Sequence, residues 1–312
     1  MNSSIIVVKY VKIELYGLKL PIIEPGADLA RLIVESAQEY AGGIRDRDII
    51  IITSKVVSKA LGYLRDLSEI KPTREAMRLA KKTGEDPRFI QAILDNSEDI
   101  LFVIPFRKLV EKGLIDLDKI AKDPERARKV VDQFPYLFIV RREKSIYSDA
   151  GIDFSNHPKG IFSIPPPDLD RVARDIREKI EKLTGKSIAV IITDTEIWLS
   201  LGSIDIARGV SGIQVVTKEF GEDDLYGKPK FGGVDIIVHE LACASALLMG
   251  QTRKGVPAVL VRGYEYEPSE EGISNYHIGV EGLRRAVKEI ITSSAKIIGL
   301  KWLLKFLIHW IL

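Results

Sequence analysis

Residues 187–212 read SIAVIITDTEIWLSLGSIDIARGVSG, and the rest of the chain is interpreted outward from this stretch. Residues 188–192 form a short apolar run between polar neighbours, the pattern of a buried strand. Asp194 and Thr195 follow at its carboxyl end, where ligands bind in open α/β sheets because loops converge there in a crevice. A second carboxylate, Asp205, comes after a loop containing Gly202, and Gly209 and Gly212 keep the backbone thin nearby. Two readings stand side by side. Asp194 caps a helix and Asp205 sits in a turn, or both belong to a ligand site.

The flanking segments offer matching chemistry. Upstream, residues 48–52 (DIIII) read as a second buried strand, running into TSKVVSK at 53–59. Hydroxyls and lysines just past a buried strand suit phosphate. A capped, solvated surface segment explains them equally, since the run is not a Walker loop. Residues 136–141 form another strand, leading to YSDAGIDFSN at 147–156, where Asp149, Asp153 and Asn156 surround a glycine. That is oxygen-ligand chemistry of the kind Mg²⁺ or Mn²⁺ takes. Pro165, Pro166 and Pro167 stiffen the approach to a long amphipathic helix over 168–183.

Further out, residues 5–18 alternate as a strand that continues extended through 20–23 (LPII). A turn at 24–28 starts a helix through about Ala41. Residues 72–95 form two short helices broken at 84–87, then a strand at 100–104, and a charged helical insertion runs to about 133. Downstream come a Gly-rich polar loop at 221–232, a strand at 234–238, a helix of small residues at 239–249 and a strand at 256–261. The cationic loop between them, GQTRKG at 250–255, closes over a nucleotide or is a plain turn.

Composition narrows the class. The 312 residues carry a net charge of +2 and are 46% hydrophobic, so one large or two ordinary globular domains are expected and no nucleic-acid partner. The single cysteine, Cys243, excludes a disulfide framework and a multi-cysteine zinc site. The four histidines lack ligand spacing, which favours a hard, oxygen-bound metal. Residues 1–8, the first charge-free run, are too short for a signal peptide, so the expected setting is the reducing cytoplasm.

Taken in order, five of these segments resemble the coenzyme F420-0:γ-glutamyl ligase family. They are Leu20-Pro21-Ile22-Ile23 with Gly26; residues 53–59; Ala150 to Asp153 with Ser155 and Asn156; Asp194-Thr195 with Gly202, Asp205, Ala207, Gly209 and Gly212; and Glu240-Leu241-Ala242 through Met249-Gly250-Gln251 with Val261-Arg262-Gly263. The resemblance implies a mixed α/β (α+β) fold, an intertwined homodimer, and a GTP-dependent enzyme adding L-glutamate to a deazaflavin precursor. It also implies two divalent metals, Mg²⁺ or Mn²⁺, assisted by a monovalent cation such as K⁺. Carried over residue by residue, Leu20, Pro21, Ile22, Ile23, Thr53, Ser54, Lys59 and Asn156 would contact GTP, with Met249, Gly250, Gln251, Thr252, Arg253, Lys254, Gly255 and Val256 completing the nucleotide site. Asp153, Asp194 and Thr195 would hold metal, and Asp153, Asp194 and Lys59 would carry catalysis.

The chain also departs from the family pattern. Where the family carries an Arg-containing Phe-Gly-Arg-Pro-Trp-Arg run, this chain reads Glu196-Ile197-Trp198-Leu199-Ser200-Leu201; Asp149 replaces an Asn, and His239 an acidic residue. A paralogue acting on a different acid, or a non-catalytic regulatory or membrane-associated protein that binds GTP and metal, is therefore the rival expectation. Residues 1–265 are expected to form the ligase-like body, with the insertion at 105–134, and 266–312 a helical extension. Its tail, residues 295–312 (AKIIGLKWLLKFLIHWIL), places Lys301, Lys305 and His309 on one narrow polar stripe. That helix packs on protein, lies in a membrane interface, or anchors there.

Overall fold

Four consecutive isoleucines, Ile49 to Ile52, point alternately to the two faces of a sheet, and all four are fully buried. A strand apolar on both faces needs cover on both, and this requirement sets the architecture. The computed structural model describes residues 12–198, 202–250, 252–299 and 301–305. In it the isoleucines form β2 (Ile49–Thr53), central in a five-stranded sheet. The order is β1 (Glu14–Leu18), β10 (Ala258–Arg262), β2, β8 (Ala189–Trp198), β9 (Gly202–Ser211). β2 and β8 run parallel and the other neighbours antiparallel. Helices α1 (Leu29–Ala41) and α8 (Leu169–Thr184) cover one face, packing Ile33 and Ile180 with Ile50, Ile52 and Val190. Helix α9 (Ile237–Met249) covers the other, with Val238 and Met249 against Ile49, Ile51 and Ile191.

Close approach fixes α8 on the sheet. A Cβ on Gly209 would lie 2.3 Å from the Leu169 carbonyl oxygen, so only glycine permits that contact. The buried carboxylate of Asp170 accepts the backbone N–H groups of Val210 (2.8 Å), Ile273 (3.1 Å) and Ser274 (3.0 Å), joining helix, strand and the 3₁₀ turn Ile273–Tyr276.

A second, antiparallel sheet consists of β4 (Asp99–Ile104), β5 (Leu137–Arg142) and β6 (Ser145–Ser148). Helices α3 (Arg74–Thr83) and α4 (Pro87–Asp95) contribute Ala76, Ile90 and Ile93 to the core behind Phe138 and Val140. The residues between β4 and β5 form α5 (Phe106–Glu111), α6 (Leu117–Ile120) and α7 (Pro124–Gln133), helical as the sequence suggests. Strand β3 (Leu64–Asp66) pairs with β7 (Ile161–Ser163). The fold is mixed α/β, in agreement with the sequence reading.

The tertiary structure corrects several expectations. The strand expected to stop at Ile192 continues to Trp198, so Asp194 and Thr195 lie inside β8 rather than beyond it. Asp205 is not in a turn but in β9, directly opposite Thr195. The hairpin partner supplies backbone hydrogen bonds to a stretch whose polar side chains read as loop. The strand expected at 234–238 is absent, and α9 begins at Ile237; an apolar run this short does not distinguish strand from buried helix. Residues 53–59 are not open surface, since α2 (Ser54–Ala60) buries Ser54, Val57 and Ser58. The helix read over 295–312 starts earlier, as α10 (Gly279–Ile298), and ends at Gly299 with φ 104°, a value suited to glycine. Residues 301–305 are helical again; His309 lies outside the described residues, as does the first half of the strand expected at 5–18, whose second half contains β1.

A buried ion pair docks the β8–β9 hairpin onto the second sheet. The Arg208 guanidinium is bonded to the Glu196 carboxylate, with side-chain exposures of 3% and 14%. Arg208 also donates to Ser145 Oγ (2.9 Å) and lies 3.7 Å over the Tyr147 ring. Glu196 accepts the Ser148 N–H (3.1 Å) and hydroxyl (2.9 Å). The turn that follows β6 is thereby seated over β8, with Asp149 and Ala150 at φ 46° and 56°. The Asp149 carboxyl holds this turn by accepting the Phe138 N–H at 2.8 Å, while Arg142 donates to the Ala150 carbonyl at 3.0 Å.

Two predictions follow from this packing. Removing one partner of a buried pair strands the other charge, so Arg208→Met should destabilise by about 3–5 kcal/mol in urea unfolding, whereas Arg208→Met/Glu196→Leu should recover most of the loss. The second concerns pH. Glu85 accepts the Tyr136 N–H, and burial, assisted by Asp86, pushes its carboxyl up to about 7. Burial also pushes Asp149 up to about 7, with Glu85 and Glu196 adding to the effect. Carboxyls raised in the folded state bind protons more readily than in the unfolded chain. Their stabilising contribution is present below about pH 4 and is lost as pH rises through about 7. Glu85→Gln keeps the acceptor oxygen and should flatten the fall in thermal midpoint between those limits. At pH 8 it should stabilise by about 1 kcal/mol after allowance for solvent screening.

Candidate active site

The parallel pairing of β2 and β8 ends at Thr53 and Thr193. There the chain after β2 turns into α2 while β8 runs on, and a cavity of about 790 Å³ opens in the gap. Three chain segments close it. Leu20, Pro21, Ile22 and Ile23 form one wall, held to the opposite rim by the Leu20 N–H to Gly255 carbonyl bond of 3.3 Å. Met249, Gly250, Thr252, Arg253, Gly255 and Val256 form that rim, which the Thr53 N–H to Pro257 carbonyl bond (3.0 Å) ties to β2. The end of β6 brings in Ser148, and the residues beyond the following turn bring in Asp153, Ser155 and Asn156.

Helix α2 presents Lys55 and Lys59, one turn apart, on one face toward the cavity. Lys55 Nζ lies 2.8 Å from Asp153 Oδ2 and also bonds Ser155 Oγ, whereas Lys59 donates to the Asn156 carbonyl at 3.3 Å. The sequence reading emphasised Lys59; the lysine that meets the Asp153 carboxylate is Lys55. Asp153 further accepts the Ser155 N–H at 2.6 Å.

Asp194 faces the same cavity from β8. It accepts its neighbour's N–H (Thr195, 2.9 Å) and the Ser54 hydroxyl, and burial pushes its carboxyl up to about 6 against the opposing pull of Arg208. Thr195 Oγ1 donates to Asp205 Oδ1 at 2.7 Å, so Asp205 buttresses Thr195 from the paired strand. His239 lies behind, where its Nδ1 accepts the Ala207 N–H at 3.1 Å; burial and Arg208 lower its pKa to about 4, keeping it neutral.

Apart from Gln251 and Lys254, every residue expected at the site lines this cavity. Gln251 lies outside the described residues, as do residues 199–201 of the departing loop. Lys254 is exposed and does not line the cavity; its side chain crosses Gly250, where a Cβ would meet it at 2.9 Å. Lys55, Ser148 and Glu196 line the cavity without having been named as site residues. The i, i+4 spacing of the two lysines was the available signal for Lys55; nothing local marks Ser148 or Glu196.

Oxygen donors dominate the wall. Among the described residues, no three His, Cys, Asp or Glu side chains form a ready-made metal cage. A Mg²⁺-like ion needs none, since it keeps water and takes one or two carboxylates together with phosphate oxygens. Asp194, with a carboxyl raised by burial and no ion pair among the described residues, has unspent acceptor capacity for such a cation. Asp153 is already answered by an ammonium group. The donor set fits a hard divalent cation.

Comparison with known proteins identifies the family. The family model described as F420-0:Gamma-glutamyl ligase matches residues 17–263. The chain is 35% identical over 249 residues to the coenzyme F420:L-glutamate ligase of Methanosarcina mazei, covering 80% of this chain and 84% of that protein. It is 34% identical over 256 residues to the coenzyme F420:L-glutamate ligase of Methanothermobacter thermautotrophicus, covering 81% and 90%. With the same-named protein of Methanocaldococcus jannaschii it shares 35% over 255 residues, covering 81% and 88%. The matched span contains every segment that lines the cavity and ends before α10. With this site inside the matched span, the chain belongs to the F420-0:γ-glutamyl ligase family.

Proposed function

We propose that this protein is a GTP-dependent ligase that forms an amide bond between L-glutamate and the acid of coenzyme F420-0. The observation that carries the reading is one cavity lined by both Lys55, Lys59 and Arg253 and the carboxylates of Asp153 and Asp194. Cations of this kind suit a triphosphate, and the carboxylates suit the ions that accompany it. The relatives' name, coenzyme F420:L-glutamate ligase, supplies the substrate pair.

In the first step a carboxylate oxygen of the acid attacks the γ-phosphorus, and the bond to the bridging oxygen breaks to release GDP. The glutamate nitrogen then attacks the acyl carbon, phosphate leaves, and the nitrogen gives up its proton. Phosphoryl transfer of this type depends on positioning and charge stabilisation. Lys55 and Lys59 draw the phosphates toward α2, while Leu20 and Ile22 present an apolar wall to the base and exclude water from it. Divalent ions held by Asp153, Asp194 and Thr195, with K⁺ assisting, would supply further neutralisation of the phosphates.

The same reading takes residues 1–265 as the ligase body and 266–312 as an appended helical extension, consistent with a family match ending at Gly263. It takes the working form as an intertwined homodimer in the cytoplasm. Leu225, Tyr226 and Phe231, 90%, 87% and 94% exposed on one loop, are suited to a second copy. One observation favours the rival, a paralogue acting on a different acid or in regulation. Glu196 and Arg208 form a closed ion pair at the cavity edge, where the family carries an Arg-containing run free to meet an anionic substrate.

Asp194→Asn should abolish glutamate ligation, measured as GTP-dependent phosphate release requiring both co-substrates, while leaving the thermal midpoint within a few degrees. Near-normal turnover in the folded variant removes Asp194 from the reaction. Lys59→Ala should weaken GTP binding by about 1–3 kcal/mol in calorimetric titration, the scale of a charge-assisted hydrogen bond. Unchanged affinity would leave the phosphates to Lys55 and Arg253.

A further inference from the structure

Helix α10 lies beyond the span shared with the family, and none of its described side chains is buried. At 100° per residue, Leu283, Val287, Ile290, Ile291, Ile297 and Ile298 fall within one arc of about 120°. Ile290, Ile297 and Ile298 are 63%, 82% and 61% exposed. The remaining arc is polar and mostly cationic: Arg284, Arg285, Lys288 and Lys296 stand against Glu281 and Glu289. Glu281 is engaged by Arg285 at 3.1 Å. Beyond Gly299, Lys301 and Lys305 extend the cationic character along a further helical turn. A groove of about 750 Å³ separates α10 from the edge strand β4, with Leu283, Val287 and Ile291 of the stripe facing Ile100 and Leu101 across it, so that the outward part of the stripe is Ile290, Ile297 and Ile298.

We propose that α10 docks on an anionic lipid surface, with its isoleucine stripe among the acyl chains and its lysines and arginines at the headgroups. An exposed apolar stripe flanked by cations is the composition of an interfacial helix. Crossing the bilayer is excluded for the described residues, none of whose helices is long and apolar enough. Pairing with a second copy fits less well. In a heptad register that puts Leu283, Ile290 and Ile297 at one core position, the other carries either Ala286 and Ser293 or Val287 and Ser294, so a serine interrupts the seam in both cases. Residues 279–305 also carry six cations against two carboxylates, so two copies of the helix would repel each other. A lipid surface meets both features at once and does not depend on the ligase reading.

The test is co-sedimentation of the full chain with vesicles of phosphatidylcholine alone and of phosphatidylcholine mixed with phosphatidylglycerol, at low and high salt. Wild type should pellet with the mixed vesicles at low salt, and only weakly with phosphatidylcholine or at high salt. Arg284→Glu/Lys288→Glu should reduce the partition coefficient about tenfold or more. Ile290→Asp/Ile297→Asp should abolish pelleting, with circular dichroism and GTP binding unchanged in both variants. Equal recovery of wild type and variants with the mixed vesicles overturns the proposal. So does a lipid-free wild type whose mass by light scattering falls in the isoleucine variant, because the stripe is then a protein interface.

Discussion

An enclosed carboxylate must be bonded, protonated or matched by a cation, and Asp194 places that constraint at the centre of this protein. Two donors, the Thr195 amide and the Ser54 hydroxyl, leave its carboxyl still raised to about 6. Taking an unmatched charge out of water is costly, and Asp194 is half-buried on the cavity wall. The position survives because it opens on a cavity that lysines also line. The break in parallel pairing at Thr53 and Thr193 creates both the opening and the helix that presents those lysines.

The hairpin that carries Asp194 depends in turn on a second polar element. Glu196 and Arg208 leave the main sheet to meet Ser145, Tyr147 and Ser148 of the other one. That contact sets where the turn after β6 lies, and hence where Asp153 stands relative to Asp194. A polar pair fixes one register because its bonds are directional, which an apolar contact of the same area would not do. The left-handed conformations of Asp149 and Ala150 persist for the same reason, with bonds to Phe138 and Arg142 holding the turn.

The main sheet shows the complementary principle. Its strands are covered on both faces by helices whose glycine and small-residue contacts bring backbones close, as at Gly209 beneath Leu169. The rigid part of the molecule is thus apolar and three layers deep, while the site is built from the segments that leave it. Helix α10 has neither kind of support, because no described side chain of it is buried and its stripe meets only an open groove beside β4.

By itself, the sequence determined the buried strands, because Ile49–Ile52 and the run at 188–192 are too apolar to lie anywhere but between two layers. It likewise determined α1, α8 and the paired short helices α3 and α4, through apolar spacing and the Asp28, Thr73, Asp86 and Asp168 caps. The segments that line the cavity were legible too, since hydroxyls, lysines and carboxylates cluster where buried strands end. Only the tertiary structure decided that Asp205 faces Thr195 across a hairpin, that Lys55 meets Asp153, and that Glu196 is locked to Arg208. It also decided that the apolar residues before His239 begin a helix instead of forming a strand. The physical reason is the same in each case. Local periodicity records how deeply a residue is buried, whereas the identity of its partner depends on register and on contacts that can span a hundred residues of chain.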